Sequence, residues 1–481
     1  MLLLVLIMVV PSVAAVAAYF LVDARWGRVL TVVSAAIVLA FAIIVDAEVV
    51  HGIKVQALSG GLSADGLSAL YLTLVAFVGL TSSIYAWGYL PAHGAPDDRR
   101  LRTYYALFNL FVASLLAVPL LTDIVLVWIA IDLTTIFSAF LVAFEGRRPT
   151  LEAAWKYATL TTMGALIALP GFLILVYALR STGLPLEWAA LVQLPGAVPA
   201  AVVFTAFIFI LVGFGAKAGL VPMHTWLPDA HSQAPAPVCA VLSGVETTAA
   251  IYVLFRLFPL LWDLRPSVAA TWYIVPGLIS VGVAALLLIQ VRDFKRLFAF
   301  STVEHMGILM VACGFGTSAS HLGTIYQMLG HSLVKSFCFY AAGLAVLALG
   351  SQEIASARGL CRRAPLAGYS LLLGGLAIAG APPFSIFVSE VAIIRSGFDA
   401  GRWVPTALLV VFIVIAFCAI MYHLIGMTFG SPPDEAVRRL PRSVAVALLV
   451  AGVPALVLGV YLPGPLATLV HQAAMALGGA P

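Results

Sequence analysis

The feature that most constrains the fold is a series of long apolar runs that recurs along the whole chain. Each run is about 20 residues long, the length that a helix needs to cross the hydrocarbon core of a bilayer. Hydrophobic residues make up 63% of the 481 residues and charged residues only 10%, whereas soluble domains carry about 25%. Soluble globular folds are therefore excluded, and the sequence predicts an all-α integral membrane protein.

Hydropathy divides the chain into about 14 predicted spans. No linker is long enough for a soluble domain, so we interpret residues 1–481 as one transmembrane domain. The first apolar run has no basic residue ahead of it and no clear cleavage site, so we interpret it as a span and not as a signal peptide. The predicted spans are Leu2–Phe20, Val29–Ile44, Leu67–Trp87, Tyr104–Leu121, Ile124–Phe144, Ala153–Ala178, Ala200–Phe214, Val238–Phe258, Trp272–Val291, Leu297–Cys313, Leu322–Leu349, Leu366–Ile394, Val404–Met427 and Val444–Tyr461.

The distribution of lysine and arginine predicts the orientation, because cytoplasmic loops carry an excess of both. Loops after odd-numbered spans hold Arg25, Arg28, Arg99, Arg100, Arg102, Arg147, Arg148, Arg292, Lys295, Arg296, Arg358, Arg362, Arg363, Arg438, Arg439 and Arg442. The opposite side holds Lys54, Arg180, Arg256, Arg265, Arg395 and Arg402. We therefore expect the odd loops in the cytoplasm and both termini on the outer side of the cell's inner (plasma) membrane.

The sequence offers no site for a redox cofactor or a metal. The five cysteines are scattered, without a CxxC pair or a metal-ligand spacing, and no nicotinamide-binding motif is present. We expect no cofactor in this chain, so any oxidoreductase activity would belong to an assembly. No basic run suggests nucleic acid as a partner. The cysteines are Cys239, Cys313, Cys338, Cys361 and Cys418.

Asp132, in VWIAIDLTTIF, lies about eight residues into the fifth predicted span, near the middle of the membrane. An ionisable group at the bilayer centre costs about 2.5–3.5 kcal/mol, so it indicates function and requires a partner. The alternative is a neutral carboxylic acid that is hydrogen-bonded to Thr134 or Thr135.

Lys217 follows about 17 residues of the seventh predicted span, so one interpretation is an ammonium that snorkels to the interface. Pro222 and Pro228 come shortly after it and favour a broken helix. Broken helices are tolerated at membrane depth where they line a cavity or are buried in protein. The prolines therefore favour a functional lysine.

The second half of the chain repeats this arrangement of intramembrane ionisable residues. His331 and Lys335 are four residues apart, hence on one helix face, in an eleventh span too long for one straight crossing. Glu390 follows APPFSIFVSE, a second proline-broken helix. Glu304 and His305 lie about seven residues into the tenth span. A lone intramembrane histidine is also compatible with a packing role.

Residue spacing predicts two inverted repeats, with sites near the midplane of each. Asp132 and Lys217 are separated by 85 residues, and so are His305 and Glu390. Glu246, in SGVETTAA, is a further mid-span acid.

Four motifs carry a resemblance to a known family: KAGLVPMHTWLPDAHSQAPAPVCAVLSG, DFKRLFAFSTVEHMG, HSLVKSFCFYAAG and GAPPFSIFVSE. Together they resemble the antiporter-like proton-pumping subunits shared by respiratory Complex I, multisubunit Na⁺/H⁺ antiporters and membrane-bound hydrogenases. The resemblance covers about residues 104–427 and is closest to the large membrane subunit of hydrogenase-4 and formate-hydrogenlyase complexes. It implies about 14 helices in two inverted repeats, with helices 7, 11 and 12 broken.

The resemblance also implies a role for individual residues. Asp132 matches the acid of the fifth helix and Lys217 its partner lysine on the broken seventh. His331 and Lys335 match the central relay, and Glu390 matches the terminal ionisable group. The chain departs from the family pattern at two of these positions. It has Asp132 where Glu is usual, and a glutamate on the eighth helix where relatives carry lysine, histidine or a neutral residue.

We therefore expect a proton-translocating subunit of a redox-driven complex of hydrogenase-4 or NADH:quinone oxidoreductase type. Its partners would be other membrane subunits, a hydrogenase-like or quinone-reductase-like peripheral arm, and the lipid bilayer. Three alternatives remain open: a multisubunit Na⁺/H⁺ antiporter, the membrane module of an inorganic-carbon uptake complex, and a passive membrane anchor. The insertion cost of the many buried charges argues against the anchor.

Overall fold

The computed structural model describes residues 2–20, 23–94, 97–431, 441 and 443–478. These residues form a helical bundle with one short antiparallel hairpin, β1 (Val55–Ala57) paired with β2 (Leu62–Ala64). Twelve helical segments in the described ranges are long and apolar enough to cross a membrane. The predicted all-α membrane fold is confirmed, and the chain is a multi-pass membrane protein.

The helices of the first half alternate with short connections. They are α1 (Leu2–Phe20), α2 (Ala24–Val50), α3 (Gly66–Ala92), α4 (Asp98–Leu120), α5 (Ile124–Val142), α6 (Arg148–Ser181), α7 (Trp188–Leu191), α8 (Ala200–Ala218) and α9 (Trp226–Gln233). The second half contains α10 (Ala236–Val241), α11 (Thr247–Leu264), α12 (Pro266–Ile289), α13 (Phe294–Gly314), α14 (Ser318–Leu349), α15 (Leu360–Arg363), α16 (Pro365–Ile378), α17 (Ser385–Asp399), α18 (Trp403–Phe429), α19 (Ser443–Val457) and α20 (Gly464–Met475).

Two of the three predicted helix breaks are present. The seventh predicted span ends as α8 at Ala218, turns at Gly219 with a φ of 77°, and resumes as α9. The twelfth is divided into α16 and α17, with Pro382 and Pro383 in the gap. Proline lacks an N–H and clashes with the preceding turn, and at these two places prolines accompany a left-handed glycine, Gly219 or Gly380, where the helix is interrupted.

The predicted break in the eleventh span is wrong. Helix α14 runs through 32 residues without interruption and carries both His331 and Lys335. The segment contains no proline. At 1.5 Å per residue the helix is about 48 Å long, longer than the hydrocarbon core, and tilting or extending beyond the core accommodates the excess. Excess length alone therefore did not indicate a break.

An irregularity that the sequence did not predict lies in the eighth span. Between α10 and α11, residues Leu242–Glu246 form a single π-helical turn. Such turns insert one extra residue into a helix and are frequent at functional sites. We call this segment the π-turn; it determines where Glu246 points.

Two predicted spans contain helices shorter than a full crossing, α16 with α17 and α19. The count of about 14 spans and the two inverted repeats stay predictions. Helix α20 lies beyond the last predicted span. The basic residues Arg438, Arg439 and Arg442 lie outside the described residues.

The most buried helices lie at the centre of the bundle. Helix α14 packs against α3, α10, α13, α16, α17 and α19. The most apolar 18 residues of the segment Ala236–Leu264 are all buried, whereas only a third of the corresponding residues of α1 and α18 is buried. Polar side chains on the central helices are therefore shielded from lipid, and the peripheral helices present apolar faces to it.

Candidate proton-transfer site

Lys217 is held at the end of α8, where the helix breaks inside the bundle. Its side chain is only 1% exposed, which excludes the snorkelling interpretation. The ammonium lies 3.1 Å from Glu246 Oε1 and donates a further hydrogen bond to the Thr135 hydroxyl. The lysine is therefore a buried cation in a direct ion pair.

One carboxylate oxygen of Glu246 accepts hydrogen bonds from side chains on three other helices, α5, α6 and α8. Tyr157 OH on α6 donates to Oε1 at 2.6 Å, and the hydroxyls of Thr134 and Ser138 on α5 lie 3.1 and 3.3 Å away. The side chain is 1% exposed, and Oε2 has no hydrogen-bond partner within the described residues. Charge pairing and several donors offset the cost of burying this acid.

The predicted pairing of Asp132 with Lys217 is not present, because Glu246 occupies the contact position. Asp132 is half-buried, its Oδ1 has no hydrogen-bond partner among described residues, and it influences Lys217 only electrostatically. The hydroxyls of Thr134 and Thr135 engage Glu246 and Lys217 instead of the aspartate. Aspartate is one methylene shorter than the usual glutamate, which limits its reach from α5.

Lys335 is completely buried on α14 and is bound by uncharged oxygens. Its ammonium donates to the Phe298 carbonyl at 2.6 Å and to the Ser301 hydroxyl at 2.5 Å, both on α13. Glu304 acts on it electrostatically. Lys335 thus differs from Lys217, whose charge is balanced by direct contact with a carboxylate.

His331 connects α14 to the π-turn. Its Nε2 lies 3.1 Å from the Ser243 carbonyl, which can only accept, so Nε2 carries the hydrogen. Its Nδ1 is buried and has no partner in the described part of the chain. Ser332 donates to the Gly244 carbonyl at 2.7 Å. The π-turn, which carries Glu246, therefore also contacts α14. The ion pair of Lys217 and Glu246 approaches the ionisable residues of α14 at this turn.

His305 uses both ring nitrogens. Nε2 lies 3.1 Å from the Ile378 carbonyl at the end of α16, and Nδ1 lies 2.8 Å from the Gln327 amide nitrogen on α14. The Gln327 carbonyl oxygen accepts from Ser389 on α17. The His305 ring is 5.3 Å from the ring of His331. In this arrangement His305 positions the helices around the break.

Glu304 and Glu390 are buried acids at the far end of the site. The Glu390 carboxylate lies directly against Gly380, in the gap between α16 and α17. Glu304 has no hydrogen-bond partner at Oε2 within the described residues, and the two acids influence each other electrostatically. The break between α16 and α17 therefore places one buried acid, Glu390, against the backbone at Gly380.

Sequence reasoning missed the hydroxyl groups that organise these charges. The hydroxyls of Tyr157 and Ser138 bond to Glu246, and that of Ser301 accepts from Lys335. Hydroxyl residues are common in membrane helices because they can bond to their own helix, so their presence alone was a weak signal. No three histidine, cysteine or acidic side chains converge as a metal site in the described ranges.

Comparison with known proteins identifies the family. Residues 121–416 match the model of the transmembrane family described as NADH:quinone oxidoreductase/Mrp antiporter. The chain belongs to this family and is an antiporter-like membrane subunit.

Individual relatives match most of the chain. It is 35% identical to the hydrogenase-4 component F homolog of Methylacidiphilum infernorum over 382 residues, 77% of this chain and 80% of the relative. It is 30% identical to NADH-quinone oxidoreductase subunit N of Desulforudis audaxviator over 417 residues, 83% and 82%. A chain of the membrane-bound sulfane sulfur reductase, an archaeal respiratory membrane complex, shares the fold with a TM-score of 0.88 at 24% identity, over 99% of this chain and 98% of that one.

Proposed function

We propose that the chain translocates protons as a subunit of a redox-driven membrane complex of hydrogenase-4 or NADH:quinone oxidoreductase type. The observation that carries this proposal is a row of buried ionisable side chains across the bundle, formed by Lys217, Glu246, His331, Lys335, Glu304 and Glu390. The π-turn carries Glu246 and contacts α14, so it joins the first two residues of this row to those on α14. Relatives that cover most of the chain are named as subunits of such complexes. No redox centre is expected in this chain, so the electron-transfer chemistry resides in partner subunits.

The first step takes place at Lys217, which interacts with two acids. Its ammonium contacts Glu246, and Asp132 acts on it from further away. A buried lysine keeps its proton while a carboxylate balances it and releases the proton when that balance is lost. A change of charge at Asp132 weakens or restores the pair and makes Lys217 release or take up a proton.

The second step passes the proton to the pair on α14. His331 accepts a proton at Nδ1, because Ser243 occupies the hydrogen on Nε2. Lys335, held by neutral oxygens, exchanges protons with it along the same helix face, with water molecules bridging the gaps. Glu304 and Glu390 then carry the proton toward the side on which α17 ends.

A neighbouring membrane subunit covers Asp132 in the proposed assembly. The aspartate lies on α5 beside the exposed side chains of Ile129 and Leu133. A half-buried acid near the membrane centre is costly against lipid, so a partner that supplies a polar or basic group there would stabilise it. We place the complex in the inner (plasma) membrane, with the basic loops in the cytoplasm and both termini outside.

The energy source for proton transport distinguishes a redox-driven pump from the alternative functions. The complex is purified through an affinity tag on this chain, its partners are identified by mass spectrometry, and acidification of inverted membrane vesicles is followed with a pH-sensitive dye. Acidification driven by hydrogen or NADH supports the proposal. Proton exchange driven by a sodium gradient without an electron donor would favour the antiporter, which the family description also includes.

A further inference from the structure

A polar cleft of about 360 Å³ opens on the side of the basic loops. At its wall, His93 Nε2 lies 2.9 Å from Glu145 Oε1, and Arg147 pairs with the same carboxylate. The side chain of Glu145 is 14% exposed and that of His93 24%, so both remain accessible to water. The site described above uses neither residue.

A column of aromatic rings leads from this cleft into the bundle. Tyr89 stacks under His93 with ring centroids 5.1 Å apart, and Tyr85 stacks under Tyr89 at 5.3 Å. Tyr85 and Tyr89 on α3 and His93, the residue directly after its end, are spaced four apart and therefore lie on one face. Tyr340 of α14 continues the column, with its ring 4.7 Å from Tyr85.

The inner end of the column is a cluster of hydroxyl groups. The Tyr340 hydroxyl lies 2.7 Å from Ser82 Oγ and 2.9 Å from Thr81 Oγ1, and Tyr85 OH donates to the Tyr340 carbonyl at 2.8 Å. All four side chains are buried. Hydroxyl groups both donate and accept, so the hydroxyls of Tyr340, Ser82 and Thr81 can pass a proton among themselves in either direction.

The hydroxyl cluster lies beside the π-turn. Tyr340, Ser336 and Ser332 follow each other at intervals of four on one face of α14, and Ser332 donates to Gly244 of the π-turn. Val78, one turn from Ser82 on α3, packs next to Gly244. The polar face of α14 therefore extends from the column to the turn that binds His331.

We propose that His93 and Glu145 capture protons at this cleft and that the tyrosine–serine column delivers them to the His331–Lys335 pair. The inference rests on the proposed function and adds the entry route to it. Each transfer moves one proton between neighbouring oxygen or nitrogen atoms, with water between groups that do not touch, so every group returns to its starting state. Arg147 pairs with the Glu145 carboxylate, and Arg100 lines the same cleft.

The test measures the initial rate of proton uptake by inverted vesicles, using the drive that works for the unaltered complex. Tyr340→Phe removes one hydroxyl, and we expect a rate about tenfold lower, a smaller loss than for a direct acid–base group because water partly substitutes. The matched control is Tyr104→Phe, because the buried Tyr104 hydroxyl has no hydrogen-bond partner in the described residues. Its uptake should be normal.

Glu145→Gln tests the capture step through the pH dependence of uptake. The titratable or charged groups that face the pair are Arg100 from α4, Arg147 after α5 and Tyr89 beneath it; the cleft residues from α14 are uncharged. We expect this variant to lose rate most at alkaline pH, where proton capture limits uptake. A purely structural role would lower the rate equally at every pH.

Comparison with Lys335→Ala separates failure of the entry route from failure of the proposed function. Normal uptake by both Tyr340→Phe and Glu145→Gln, with uptake abolished in Lys335→Ala, would overturn the entry route alone. Normal uptake in all three variants would overturn the proposed function as well. The amount of assembled complex is measured for each variant, so that only folded protein is compared.

Discussion

At the scale of residues, the two buried lysines are bound in different ways. Lys217 is balanced by Glu246 at 3.1 Å, whereas Lys335 is bound by a carbonyl and a hydroxyl. An ion pair in a dry environment is stable only while both partners are present. The first lysine therefore depends on the charge of its partner, whereas the second is bound by neutral groups alone.

Glu246→Gln should lower the stability of the chain. The substitution leaves the Lys217 ammonium buried without a counter-charge, and breaking such a pair costs about 3–5 kcal/mol. Thermal unfolding of the purified complex should shift to a lower temperature. The double variant Lys217→Met, Glu246→Gln removes both charges and should regain much of the loss, while proton uptake stays abolished.

An unchanged unfolding temperature in Glu246→Gln would show that the pair carries little energy. Recovered uptake in the double variant would show that the pair is structural and takes no part in transport.

The sequence located the ionisable residues but not their partners. Asp132, Lys217 and Lys335 could be singled out because charges are costly in long apolar runs. That Lys217 binds Glu246 and not Asp132 depends on the rotation of the eighth span, which the π-turn changes by one inserted residue. No pattern of hydropathy records that insertion, so the partner could not be predicted.

At the scale of elements, breaks in helices bring backbone and ionisable groups together. Gly380, in the gap between α16 and α17, has a φ of 76° and lies against the Glu390 carboxylate. The prolines of this gap made it predictable. The continuous α14 shows the converse, since a long span without proline or a left-handed residue remains helical.

Gly380→Ala should impair proton uptake more than a matched glycine substitution. A methyl group at this position would overlap the Glu390 carboxylate, and the backbone conformation is unfavourable for alanine by about 1–2 kcal/mol. Gly401→Ala is the control, because Gly401 has a φ of 70° but nothing within 4 Å of the added atom. Uptake and unfolding temperature are measured for both.

Both variants should lose a similar amount of stability to backbone strain, and only Gly380→Ala should also lose uptake. Equal uptake in the two variants would indicate that the position of Glu390 against the break does not matter for transport.

At the scale of the whole molecule, Asp132 is the one predicted site residue that lies at the exposed edge of the bundle. It lies on the apolar face of α5, whereas the other predicted site residues are almost completely buried. A neighbour that packs against this face of α5 would lie beside Asp132. The fold class followed from hydropathy, but this asymmetry required the orientation of each side chain.

Asp132→Asn should reduce driven proton uptake with little effect on stability. The aspartate has no direct ion pair, so its removal strands no opposite charge and the unfolding temperature should not fall. Asp132→Glu restores the charge with a longer reach and should retain uptake. Uptake in the assembled complex checks both variants; normal uptake in Asp132→Asn would remove this residue from the mechanism.

The most direct measurement is proton uptake by inverted vesicles that contain the complex with Lys217→Arg. Arginine keeps a positive charge beside Glu246 but does not release its proton at working pH. We predict that uptake is abolished while the complex assembles normally, and that Lys156→Ala, a change at an exposed lysine paired with Glu152 and Asp229, leaves uptake intact. Uptake at the normal rate in Lys217→Arg would contradict the claim that protons pass through this row of buried ionisable side chains.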